Sequence, residues 1–531
     1  MQNSWIVLLP PIIVLVCSFI SRKLNPSLFI GIVAAALIAH SGSIPSSVTL
    51  LFGRFFEELS SFDNLCLYGF LLVIGALIVL LNENGGAHAF AHAITKRITN
   101  AKSAETSSLL ISMILFIDDY LSNLTVGYVM RPLTDSFSIA RVKLAYLVRS
   151  LSGPLVILVP VSSWVAMITS QLDLAGIHPN SIQTTKIMAD PFYIYLKSIP
   201  FIFYSFLLIA SVWLIVRRSL SFGPMYVHEQ IATTTGNLFG GKPALEEDVK
   251  PVEHTNGSVA DLILPIIILI SGVFIGIPLA GGFYSCNRSL LESFQNNNKT
   301  FLVLLISSVI TLIASTAFAL LRKKITAKQL PTIAKQGYDL MISAIVMVFL
   351  ASVLGSLLKN DLSVGTFIAQ HALGAINPAL LPVMFFIVSM FVATITGTSW
   401  GTIALLVPTM VQMITVYLQV PTPTCPDQLP ILFPILGAIF SGAVCGNHIS
   451  PISDTSIMAS TSSGAYPLDH AYTQLWYTIP VIIGTTISFI ITGYALSLST
   501  TANIALSFGT GLIISFALLY IADKIQPRIK S

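Results

Sequence analysis

The chain has 531 residues, 54% of them hydrophobic and 9% charged, with a formal net charge of +4 and a mean hydropathy of +0.83. A soluble domain carries roughly 25% charged residues, so this composition excludes one and implies a chain threaded repeatedly through lipid. The small basic excess is not gathered into patches interleaved with aromatics, which excludes nucleic acid as a partner.

Apolar stretches fall at 5–21, 27–41, 64–82, 104–130, 144–171, 192–216, 259–280, 300–321, 338–358, 375–418, 430–463, 473–496 and 503–522. Each spans or nearly spans a bilayer as a helix. The first is followed by Arg22 and Lys23 and lacks a small-residue cleavage site, so it reads as a retained anchor. Residues 87–102, AHAFAHAITKRITNAK, read as an interfacial helix with His88 and His92 as a surface pair. Residues 217–258 read as one long polar loop. The five cysteines form no CxxC or zinc spacing.

Two of the stretches are read as hairpins that enter and leave on one side. If 104–130 is such a hairpin, most of the 27 basic residues fall on one face, as the positive-inside rule requires. The run 375–418 is too long for one helix and becomes a second hairpin from the opposite face. The fold expected is an all-α polytopic membrane protein with about 11 full spans, two re-entrant hairpins and broken helices. Residues 1–216 form one half, with hairpin 104–130 and broken span 144–171, and 217–258 a cytoplasmic loop. Residues 259–496 form the inverted second half, with hairpin 375–418 and broken span 430–463, and 497–531 an extra span and tail. The N-terminus is expected outside and the C-terminus in the cytoplasm.

Polar residues interrupt both hairpins and both broken spans: FIDDYLSN (116–123), PVSSW (160–164), TGTSWGT (396–402) and GNHISPISDTS (446–456). An aspartate at the centre of a membrane helix costs roughly 2.5–3.5 kcal/mol, so Asp118, Asp119 and Asp454 are the candidates for binding protons or a cation. On a helix Asp119 shares a face with Asn123, and Asp118 with Ser122, offering oxygens to a hard cation. Ser162, Ser163, Thr398, Ser399, Thr402, Asn447, His448, Ser453 and Thr455 are the polar candidates for coordinating an ion or substrate, although such residues also serve as interhelical packing. Gly442 and Gly446 form a GxxxG read as packing, and Trp164 and Trp400 are read as wedges. GTSWG at 397–401 matches GxSxG, but helix precedes and follows it, so a hydrolase using Ser399, His448 and Asp454 is a remote alternative.

The motifs FIDDYLSNLTVGYVMRPLTD, SSW, GTSWGT and SGAVCGNHISPISDTS, in this order, resemble those of the NhaC-type Na+/H+ antiporter family. The resemblance implies a plasma-membrane exchanger coupled to sodium and protons, built of inverted repeats and working as a homodimer in membrane lipid. It places acidic roles on Asp118, Asp119 and Asp454, and polar roles on Asn123, Ser399, Asn447, His448, Ser453 and Thr455. Family members often have an acidic residue where Asn447 stands, and some exchange malate for lactate.

The function expected is secondary exchange of Na+ or Li+ for H+, with no cofactor beyond the transported ions, the only metal being Na+ at Asp118, Asp119 and Asp454. The alternative is a carrier of a small organic anion or amino acid coupled to the same ions. Since no arginine or lysine is expected deep in a hairpin or broken span, an organic anion beside three aspartates meets like charge, and small inorganic cations are favoured.

Overall fold

The computed structural model describes residues 4–21, 23–86, 89–90, 93, 98–181, 185–245, 257–284, 288–295, 297, 299–371 and 376–527. His88, His92 and Cys286 lie outside the described residues, as does most of the expected interfacial helix. The chain is a multi-pass membrane protein: among the described residues ten helical stretches are long and apolar enough to cross a bilayer, and two shorter apolar helices open the chain.

The first half runs through α1 (Leu9–Ser21), α2 (Leu24–Ala39), α3 (Ile44–Ser60) and α4 (Phe62–Glu83), then α5 (Ala101–Ile114), α6 (Asp119–Ser136), α7 (Arg141–Val156), α8 (Ser163–Leu174), α9 (Pro191–Ser198) and α10 (Phe203–Arg218). After α11 (Gly223–Thr235) come α12 (Ala260–Ala280), α13 (Leu290–Gln295), α14 (Thr300–Leu321), α15 (Leu330–Ser356) and α16 (Val364–His371). The chain continues with α17 (Leu381–Thr396), α18 (Ser399–Tyr417), α19 (Leu432–Ile449), α20 (Asp454–Ser463), α21 (Pro467–Tyr494) and α22 (Thr500–Ile525). Both expected hairpins are helix pairs, α5 with α6 and α17 with α18, and each pair packs on itself. Helix α6 packs on α20 and α18 on α8, so each helix pair meets an interrupted stretch from the distant part of the chain.

Each of the four breaks has a local chemical cause. Between α5 and α6 the extended residue Asp118 ends one helix and N-caps the next, accepting from the Tyr120 and Leu121 amides at 2.9 and 3.1 Å. Between α7 and α8, Pro154 and Pro160 remove backbone donors and stop the helix. Gly397 ends α17 in the left-handed region at φ +69°, and Thr398 caps α18 through the Gly401 amide at 3.3 Å. Pro451 holds Ser450 extended, ending α19 before α20 begins.

The GxxxG pair packs as expected. A Cβ on Gly442 would come within 2.5 Å of the Phe386 carbonyl oxygen, and one on Gly446 within 2.2 Å of that of Met390, so glycine alone lets α19 lie on α17 this closely.

Three expectations are corrected. The stretch 192–216 is not one helix: it breaks at a tight turn, Ile199–Phe201, around Pro200. The segment 217–258 is not simply a loop, because it contains α11, whose Glu229 carboxylate meets the buried Lys143 of α7 at 2.5 Å. Residues 42–61, read as no element, carry the amphipathic α3. Its charges broke the apolar run, yet Ile44, Val48, Phe52, Phe56 and Leu59 make one exposed apolar stripe and Arg54 pairs with Asp361 at 3.0 Å.

Candidate functional site

Residues from all four breaks meet at one cavity of about 420 Å³. Asp118, Asp119, Tyr120, Trp164, Thr396, Gly397, Thr398, Ser399, Trp400, Asn447, Ile452, Asp454 and Thr455 line its interior. Its rim carries the exposed residues Lys23, Pro26 and Ser343, so it reaches the surface at the turn between α1 and α2. Because α6, α8, α18 and α20 all begin here, four helix N-termini, each with roughly half a unit of positive partial charge, surround the three aspartates.

The aspartates are not equivalent. Asp118 is buried and committed: besides the two cap bonds, its second oxygen accepts from the Ser163 hydroxyl at 2.9 Å. Asp119 is buried too, but among the described residues its carboxylate takes one side-chain bond, from the Trp164 indole N–H, at 3.4 Å. Asp454 is exposed to the cavity, accepts from the Thr455 amide at 2.7 Å and takes a hydrogen bond from the Tyr120 hydroxyl. Thus Asp119 and Asp454 keep oxygen lone pairs for an incoming ion, whereas Asp118 fixes the start of α6.

The polar candidates divide in the same way. Thr398, Ser399, Asn447 and Thr455 line the cavity. Ser399 donates to the Ala443 carbonyl at 3.0 Å, and Asn447 donates to the Gly397 carbonyl at 2.9 Å while accepting from Thr455 at 3.1 Å. Ser162, Ser163, Thr402, Ser453, Asn123 and His448 sit outside the lining. Ser162 donates to the Val156 carbonyl at 2.9 Å and Thr402 to that of Thr398 at 2.9 Å, while Ser453 pairs with Thr455 at 2.9 Å. Asn123 donates to the Asp119 carbonyl at 2.7 Å, and its own Oδ1 is buried without a partner among the described residues. His448 lies between the hydroxyls of Tyr204, at 2.8 Å, and Ser150, at 3.3 Å. Ser399, His448 and Asp454 therefore each bond elsewhere, and the triad geometry of a hydrolase is not formed.

Two residues of the site were not singled out from sequence. Tyr120, directly after the paired aspartates, bridges to Asp454. Arg149 overturns the expectation of no deep cation: it is 1% exposed on α7, donates to Asn447 Oδ1, and its Nε donates to the Ser456 hydroxyl at 3.3 Å. Its signal was its place five residues inside the 144–171 run, which was read as the aqueous end of that span. The expected wedges, Trp164 and Trp400, meet edge to face with centroids 6.3 Å apart.

Discontinuous helices meeting around buried carboxylates, in a chain of this many spans, define a secondary transporter. The sequence pattern of the Na+/H+ antiporter family matches residues 155–494, more than half of the chain, and the chain belongs to that family. It is 30% identical over 506 residues to an uncharacterised protein of Haemophilus influenzae, covering 93% of this chain and 92% of that one. It is 31% identical over 144 residues to the malate-2H+/Na+-lactate antiporter of Bacillus subtilis, covering 25% of this chain and 28% of that protein. It is also 27% identical over 159 residues to the Na+/H+ antiporter NhaC of Alkalihalophilus pseudofirmus, covering 30% of this chain and 32% of that one.

Proposed function

We propose that this transporter exchanges Na+ for H+ across the plasma membrane, with Asp119 and Asp454 as the groups for which the two cations compete. The observation that carries the reading is the pair of incompletely bonded carboxylates facing one cavity. In a desolvated site a carboxylate is neutralised either by a proton or by a metal cation, so binding one releases the other. Asp118 holds α6 in place, and Thr398, Ser399, Asn447 and Thr455 supply neutral oxygens. The two halves, 1–216 and 259–496, are proposed to be inverted repeats, with 497–531 added outside them. On that topology Lys23 and the cavity rim face the cytoplasm, the N-terminus lies outside and the C-terminus inside, and rocking of one half exposes the site to the other face.

Arg149 places one buried positive charge near the site, which an organic anion could use. It sits behind Asn447, however, and is not part of the cavity lining, so a ligand in the cavity meets three aspartates first. The names of the B. subtilis and A. pseudofirmus relatives share Na+ and H+, and that common part is the one carried over here. The test is proton movement in proteoliposomes containing no organic solute, driven by a Na+ or Li+ gradient over a range of pH. Robust exchange is expected. Exchange that appears only when malate, lactate or an amino acid is added would replace this reading with the organic-anion one.

A further inference from the structure

Arg149 is a buried cation whose side-chain hydrogen bonds, among the described residues, go to two neutral oxygens, those of Asn447 and Ser456. A fully desolvated guanidinium held that way is costly unless carboxylates nearby supply an opposing field. Its helix α7 packs against α6, which carries Asp119, and against α20, which begins with Asp454. Ser456, which it holds, is two residues from Asp454, and Asn447, which it also holds, lines the cavity together with Asp119 and Asp454. The helices packed on α7 also carry the titratable groups Tyr120 on α6, Tyr204 on α10, His448 on α19 and His470 on α21. Both histidines are fully buried. Asn447 is the bridge: one end of its amide holds the Gly397 carbonyl at the cavity wall, and the other end holds Arg149 behind it.

We infer that Arg149 is a tethered counter-charge: a positioning residue, clamped by Asn447 and Ser456, that offsets one unit of the aspartate cluster's negative charge in every state of the cycle. This builds on the exchange reading above and goes beyond it by fixing how much positive charge the cavity still demands. Three ionised aspartates beside one fixed guanidinium need two further positive charges for neutrality. Without Arg149 they need three. The neutral side chain at Asn447 belongs to the same device, because an amide oxygen tethers the guanidinium without neutralising it.

The test reads the aspartates directly and needs no Na+. The infrared carboxyl C=O band of the full-length protein in lipid nanodiscs is titrated with pH and assigned with Asp119→Asn. In Arg149→Gln the midpoint of that band is expected to rise by about one unit or more, the usual consequence of deleting an opposing charge close by. Arg149→Lys, which keeps the charge, is expected to return it close to the wild-type value. In proteoliposomes, the pH at which Na+-driven proton movement is half-maximal should rise by about one unit in Arg149→Gln, because protons and Na+ compete for the same carboxylates. An unchanged midpoint in a folded Arg149→Gln protein overturns the inference, and so does an Arg149→Lys shift as large as that of Arg149→Gln. Should Arg149→Gln not fold, the double variant Arg149→Gln/Asp454→Asn removes one charge of each sign. It must then fold with a midpoint near wild type, and if it too is unfolded, Arg149 is structural and the inference fails. A wild-type protein that moves no protons in response to Na+ would strike the exchange reading while leaving the infrared result intact.

Discussion

The hydroxyl of Tyr120, at the start of α6, donates a hydrogen bond to the carboxylate of Asp454, the first residue of α20. These residues are 334 positions apart and belong to opposite halves of the chain. A transporter that rocks one half against the other must carry both partners together or break this bond, so it is a point of mechanical and electrostatic coupling. Tyr120→Phe keeps the ring and removes the bond. Hydrogen bonds to charged groups contribute about 1.5–3 kcal/mol, which sets the expected loss of turnover at roughly tenfold or more. Initial rates of Na+-driven proton movement at matched protein content check this, and a normal rate would show that the bond does not matter to the cycle.

Asp118, Asp119 and the distant Asp469 should differ in what their asparagine variants do. Asp119→Asn removes a charge from the least-bonded carboxylate and is expected to abolish exchange. Asp118→Asn retains a good N-cap, so the protein should fold normally but transport poorly, whereas Asp118→Ala should also lose about 1 kcal/mol of stability. Asp469→Asn is the control: Asp469 pairs with the half-exposed Lys242 at 2.7 Å, far from the cavity lining, and exchange should be near normal. Thermal unfolding and transport measured on the same preparations separate the cap from the charge. Equal transport in all three Asn variants would make the paired aspartates purely structural.

Most of the spans, and all four breaks, were legible because each is written locally: apolar runs of bilayer length, and at the breaks a capping aspartate, a left-handed glycine and prolines without donors. The convergence of the breaks on one cavity was inferred from their recurring order in the two halves. Arg149 was not legible. Its partners, Asn447 and Ser456, lie 298 and 307 positions away, and an arginine near the start of an apolar run reads in isolation as a residue at the water interface. Amphipathic α3 was missed for the opposite reason: its Arg54, Glu57 and Glu58 interrupt the hydrophobic run, although they sit on one face of a regular helix.

The proposed sidedness rests on reading α5 and α6 as a re-entrant hairpin, and single cysteines test it. Ser103 closes the capping box with Asn100, and Ser138 sits at φ +54°, so neither is a neutral site for substitution. Ala101 and Ser136, both exposed, are the better positions. On a background without the five native cysteines, Ala101→Cys and Ser136→Cys are expected to react with an impermeant maleimide from the same face, the cytoplasmic one. Labelling from opposite faces would mean that α5 and α6 cross the membrane as one unit and would remove the inverted repeat.

A pH effect on stability is expected at Glu58, on α3 outside the membrane-length helices. Burial pushes its carboxyl up to about 7 despite the opposing hydrogen bond from Tyr68, whose hydroxyl lies 2.7 Å away. The unfolded chain gives up that proton near the ordinary value of 4.5. Between those two pH values the folded protein binds more protons, so this group's contribution to stability falls as the pH rises through the window and stays low above it. Glu58→Gln should flatten the pH dependence of Tm between 5 and 8 and raise Tm at the alkaline end. A parallel decline in wild type and variant would assign the slope to other groups.

The last expectation concerns Gly397, where backbone freedom and the site meet. Its φ of +69° lies where a side chain costs about 1–2 kcal/mol. A Cβ there would also stand 3.1 Å from the Ile452 side chain and 3.2 Å from its carbonyl oxygen, the segment that leads into Asp454. The Gly397 carbonyl accepts the Asn447 amide at 2.9 Å, so turning this residue out of the left-handed region pulls on the amide that clamps Arg149. Gly397→Ala should therefore lower Tm modestly and reduce transport by much more than that loss of stability explains. Gly53→Ala, in mid-helix on exposed α3 with nothing within 4 Å of an added Cβ, is the control: it should leave transport unchanged and not lower Tm. If Gly397→Ala lowers Tm but transports at the wild-type rate per folded molecule, the α17–α18 tip is a structural turn and the ion is bound without its help.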